Sequence, residues 1–194
     1  MSIRNVALLS GNHFALTGMK ALMSQTGQHI NVAISARTFP ELKTQLSDNH
    51  IDIIVLIECN QDMAGIDWLK HVSEIRKQHP HLLIWMCTAQ TASLSLFNDY
   101  VDAWFSLRET LIKWQHHLYR LRNAVLREPK TLSRDINLTA LEWTILKDVK
   151  CGITIQHIAQ RNNISYRKVS LLKNIAMRKL GLRNKTALLV FLTR

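Results

Sequence analysis

The chain has little that would tie it to a membrane, a secreted scaffold or a familiar enzyme chemistry. No apolar run approaches the roughly 20 residues that a spanning helix needs, which excludes a conventional transmembrane segment. The opening stretch MSIRNVALLSGNH has a short apolar run with no small-residue cleavage site after it, so no signal peptide is expected and the cytoplasm is the expected compartment. Cysteine is scarce: Cys59, Cys87 and Cys151 are odd in number, far apart and without a CxxC pair. That excludes a disulfide framework and favours buried, reduced thiols. The nine histidines show neither HExxH nor His-x3-His spacing, so no metal site is expected. GxGxxG, Walker and GxSxG motifs and paired catalytic carboxylates are also missing, so neither an enzymatic activity nor a cofactor is expected. Acidic residues are the remaining shortage, with 14 Asp/Glu against 25 Lys/Arg and a net charge of +11.

That excess is unevenly placed. Residues 131–194 carry 12 Lys/Arg against 3 Asp/Glu, and residues 1–130 carry 13 against 11. The last third therefore has the electrostatic footprint of a protein with a polyanionic partner.

The chain also changes rhythm. Short apolar runs at 6–9, 30–34, 51–57, 82–87 and 101–105 alternate with amphipathic stretches at 14–24, 39–48, 64–78, 91–99 and 108–125. Such alternation, with near-continuously apolar strands, predicts a doubly wound, five-stranded parallel sheet covered by helices on both faces over residues 1–125. Residues 126–137, LREPKTLSRDIN, break the pattern; Pro129 disfavours helix at Glu128, and the segment reads as a linker.

From 138 to 194 the pattern is all helical. Thr139 and Glu142 form a capping box, Gly152 ends the first helix, and Thr154 caps a short second one. Ser165 caps a basic helix that ends at Gly181, and Asn184 caps a last one, KTALLVFL. Two short helices joined by a tight turn, the second basic, predict a helix-turn-helix. At 100° per residue, Val169, Leu172, Ala176 and Leu180 share the packing face of the basic helix. Arg167, Ser170, Asn174 and Arg178 share the other, with Leu171 at its edge. A membrane-surface helix would show a wide apolar face instead. Groups of different length and hydrogen-bonding type suit base edges, so Arg167, Ser170, Leu171 and Asn174 are the expected base-facing residues. Lys168, Lys173, Arg178 and Lys185 are the expected phosphate-facing ones, with Lys179 also at the side of the helix. The helix starts at Ser165 and Asn184 offer amides for phosphate as well. Double-stranded DNA is thus the expected partner.

Residues 138–189 resemble the DNA-binding domain of the LuxR/NarL/FixJ class of transcriptional regulators. The resemblance is carried by Leu138, Thr139 and Glu142, then Gly152, Ile158-Ala159, Ile164-Ser165, and Lys179-Leu180-Gly181 with Asn184. Residues 167–180 look most similar to the Rcs-type capsule regulators. The family's principal base-contacting Lys position is Ser170 here, and its frequent His is Leu172. The resemblance implies a dimer, either a homodimer or a heterodimer with another receiver-type regulator. The final helix, ALLVFL (187–192), is either a dimer contact or part of its own domain's core.

The resemblance further implies a phosphoacceptor receiver in residues 1–125, but most of its reactive groups are replaced. Ser10 and Gly11 stand where two Mg²⁺-binding acids belong. The acceptor position falls on Ile57, or on Glu58 if one residue is inserted; Glu58 is either a fixed imitation of the phosphorylated acid or an ordinary loop acid. Thr88 keeps the switch hydroxyl, and Leu107 replaces the Lys. Asp62 and Asp67 read as structural loop acids. The expectation is a pseudo-receiver controlled by association rather than by Asp phosphorylation. A competing reading is a module that sequesters another regulator and binds DNA poorly alone. The apolar residues Ile112, Trp114, Leu118 and Leu121 of the segment closing this half are either core or interface.

Overall fold

The computed structural model describes residues 3–25, 29–57, 65–88, 100–122 and 138–193. Glu58, Asp62, Cys59, the 91–99 stretch and the 126–137 linker lie outside them, as does the side chain of Leu121. The contacts divide the chain into two compact units, one holding the sheet and the other the C-terminal helices.

The first unit contains β1 (Arg4–Leu9), α1 (His13–Ser24), β2 (Ile30–Ala36), α2 (Phe39–Asp48), β3 (Ile53–Ile57), α3 (Gly65–Gln78) from residue 71 on, β4 (Leu83–Thr88), β5 (Ala103–Ser106) and α4 (Leu111–Arg122); residues 65–70 of α3 group with the second unit. All strand pairs are parallel and the order is β2-β1-β3-β4-β5. This is the doubly wound order of receiver-like folds. Every residue of β3 and β4 is buried, as expected for central strands covered on both faces. Side chains alternate between faces with period two. Val6, Leu8, Ile53, Val55, Ile57, Trp85 and Cys87 point to one face and pack with Leu16, Met19 and Met23 of α1 and Trp114 and Leu118 of α4.

Long-range polar contacts lock the unit at the strand starts. Arg76 of α3 is buried and donates to the carbonyls of Tyr100 (3.0 Å) and Leu82 (2.7 Å). It also pairs with Asp102, whose carboxylate accepts the Ile84 amide at 2.8 Å. Asp52 accepts the Asn5 amide at 2.8 Å in the same way.

The second unit contains α5 (Ala140–Lys150), α6 (Ile155–Arg161), α7 (Tyr166–Lys179) and α8 (Lys185–Thr193). Ile145, Ile158, Ala159 and Val169 are its buried centre. Three of its helices end in one way. Gly152 (φ 76°), Asn163 (φ 51°) and Gly181 (φ 68°) take left-handed conformations. The next residues, Ile153, Ile164 and Leu182, donate back to Asp148, Ala159 and Met177. These are Schellman closures, which satisfy the last carbonyls and turn the chain sharply. Among the described residues no helix is long and apolar enough to cross a membrane.

Candidate functional site

The outward face of α7 is built from its two ends. Ser165 Oγ accepts the Lys168 amide at 3.2 Å and starts the helix. The Asn163 turn before it sets the direction in which the helix leaves α6. Val169, Ala176 and Leu180 are buried, and Leu172 is half-buried against the same core. On the opposite side Arg167, Leu171, Asn174 and Arg178 are exposed, and their steps of four, three and four residues form one straight stripe. Leu171 is exposed on this stripe, and Ser170 is half-buried at its flank. Lys168 is exposed and Lys173 half-buried on either side. Lys185 and Asn184 are exposed at the start of α8, where Asn184 Oδ1 accepts the Ala187 amide at 2.7 Å.

Charge sorting around this face was not legible beforehand. The acids of residues 138–193 are Glu142 and Asp148, and both are buried. Glu142 accepts Lys179 Nζ at 2.7 and 2.9 Å and the Thr139 amide at 2.7 Å. Lys179, expected at the phosphate-facing side of α7, is thus held against α5 instead. Burial alone would raise the Glu142 pKa, but the Lys179 and Thr139 hydrogen bonds and the Lys179 charge outweigh it, and the carboxyl lies below its ordinary value. Asp148 pairs with Arg161 of α6. With both carboxylates turned inward, Arg167, Lys168 and Arg178 meet no acid among the described residues. No local signal marks this pairing, since Lys179 and Glu142 are 37 residues apart and meet only through the packing of α5 on α7.

At the carboxyl edge of the sheet, the residues in the acid positions do structural work. Ser10 is buried; its amide donates to Ala36 O at 3.2 Å and its Oγ accepts the Asn12 amide at 3.2 Å. Gly11 is half-buried beside it. Asn12 caps α1 by accepting the Phe14 and Ala15 amides at 2.9 and 3.2 Å. Ile57 ends β3 inside the core cluster and has no group to phosphorylate. Thr88 is buried at the end of β4, and its carbonyl accepts the Leu107 amide at 3.1 Å. Leu107 packs on the core, and Arg108 is exposed. Mg²⁺ requires hard carboxylate oxygens, and Ser10, Gly11 and Asn12 supply none. The described residues of this edge do not fit the metal of a phosphoacceptor receiver. In α4, Trp114 and Leu118 are core while Ile112 is 78% exposed.

Fold and site together define a receiver-like domain and a basic helix-turn-helix domain in one chain. Residues 136–192 match the family described as bacterial regulatory proteins, luxR family, and the C-terminal domain belongs to it. Solved structures add the fold of the whole chain. RcsB from Salmonella enterica serovar Typhimurium, bound to promoter P1flhDC with the phosphomimetic BeF3-, is 23% identical with a TM-score of 0.58, covering 98% of each chain. Two RcsB dimers bound to two parallel DNAs give 21% identity and a TM-score of 0.57, over 99% of this chain and 98% of that one. A CheY-like receiver domain from Methanospirillum hungatei is 14% identical with a TM-score of 0.51, over 63% of this chain and 95% of that one. At these identities the likeness is one of fold. Among curated protein sequences none matches the chain significantly.

Proposed function

We propose that the chain is a sequence-specific DNA-binding transcriptional regulator whose receiver-like domain acts by association rather than by Asp phosphorylation. The observation that carries this reading is the one-signed face of α7: an exposed Arg167-Leu171-Asn174-Arg178 stripe in a domain whose two carboxylates are both buried and paired. Such a face binds a polyanion without repelling it, and its mixed side chains offer base recognition. Arg167, Ser170, Leu171 and Asn174 face bases; Lys168, Lys173, Arg178 and Lys185 face phosphates, aided by the helix starts at Ser165 and Asn184. One recognition helix covers only a half-site, so the active species is a dimer, homomeric or with another receiver-type regulator. That RcsB dimers on DNA are among the similar structures supports this reading.

Sequencing the genomic DNA retained by the purified full-length protein at physiological salt is the direct test. Enrichment of a two-fold symmetric site supports a self-sufficient homodimer. Salt-sensitive retention without enrichment places specificity in a partner. Acetyl phosphate with Mg²⁺ should leave dimerisation unchanged, and a phosphate-dependent shift would overturn the proposed mode of control.

A second reading is favoured by exposed apolar side chains on the sheet unit, with Phe14 85% and Ile112 78% exposed. In it the protein mainly sequesters another regulator. Loss of regulation in the Ser170→Ala, Asn174→Ala double variant would rule that out.

A further inference from the structure

We infer that Leu171 reads the 5-methyl group of a thymine, so that each half-site contains a T between the positions met by Arg167 and Asn174. The inference rests on the DNA-binding reading above and deepens it. Leu171 is 56% exposed on the outward face of α7, with Arg167 one turn before it and Asn174 just under one turn after. A large aliphatic group in that place gains nothing from water or from phosphate. Arg167, Lys168 and Arg178 around it are polar and exposed, and no other apolar residue shares the stripe.

The major groove displays N7, O6, O4, N6 and N4 groups, all of which form hydrogen bonds, and one apolar group, the thymine methyl. Leucine pressed on any of the polar edges would strip water from it without replacing the lost bond. Against the methyl it buries aliphatic surface on both sides. Leu171 lies about 6 Å from Arg167 and about 4.5 Å from Asn174 along the helix axis, close enough for all three to read one short run of base pairs.

The test uses the full-length protein and the site selected from random duplex DNA. Each thymine of a half-site is replaced in turn by deoxyuridine, which removes the methyl and nothing else, and the dissociation constant is measured at fixed salt. Wild type should bind about fourfold more weakly at one position, the value of one buried methyl. Leu171→Ala should bind that thymine and uracil equally. The exposed side chain contributes nothing to the core, so this variant keeps its fold, checked by thermal melting. A selected site at which no thymine-to-uracil change matters, or an undiminished difference in Leu171→Ala, overturns the assignment of Leu171 alone. Selection that enriches no sequence overturns base reading by this chain and the Leu171 assignment with it.

Discussion

Single residues decide how the helical domain closes. Gly152 has no atom within 4 Å of an added Cβ, yet its φ of 76° makes any side chain strained. Gly152→Ala should therefore destabilise by about 1–2 kcal/mol for conformational reasons alone. Asn163 holds the same conformation at lower cost than other non-glycine residues. Asn163→Gly should be close to neutral and Asn163→Ala destabilising by about 1 kcal/mol in urea titrations. Glu142 makes the domain acid-sensitive. Its pKa is depressed in the folded state, so its stabilisation is complete above its ordinary value of 4.5 and is lost as pH falls through the folded value. Thermal melts of Glu142→Gln should lack this component, whereas Lys179→Met leaves a buried carboxylate without its cation and lowers stability at neutral pH. The capping role of Glu142 was readable from Thr139 three residues before it. Its pairing with Lys179, 37 residues on, was not.

Elements were legible in proportion to how local their signals are. Strands β1 to β5 emerge from apolar runs, and helix starts at Thr139, Thr154 and Ser165 from side chains that accept amides within three residues. Boundaries moved where neighbours decide them: β2 extends to Ala36 because it pairs with β1 through Leu9. The anchoring of α3 was not foreseen. Arg76 reads as one charge among several in EIRKQ, but it is buried between Tyr100, Leu82 and Asp102. Arg76→Ala would remove the buried guanidinium that pairs with Asp102 and donates to the Tyr100 and Leu82 carbonyls, and should cost about 3–5 kcal/mol, measured by chemical denaturation. The wheel of α7 was also only partly readable. An ideal helix orders residues by angle, but the packing of α5 and α6 sets which angle is outermost, and it leaves Leu171 exposed and Ser170 half-buried.

For the whole molecule, charge is the governing quantity. DNA affinity should fall linearly in a log–log plot against salt, and Lys168→Ala should reduce the magnitude of the slope by about 0.9 if it meets one phosphate. Its effect should be similar on all sequences, whereas Asn174→Ala should relax preference at one base pair. A slope unchanged in Lys168→Ala would remove that residue from the phosphate-facing set.

By itself the sequence determined the two-part organisation, the parallel sheet, the helix-turn-helix and the lack of a carboxylate at Ser10 and Gly11. These follow from periodicity, capping and residue identity, which act over a few residues. Only the tertiary structure decided which charges reach solvent. The pairs Glu142–Lys179, Asp148–Arg161 and Arg76–Asp102 form between elements that meet after folding. A buried charge is tolerated only when paired, so packing, not composition, selected the cations left exposed.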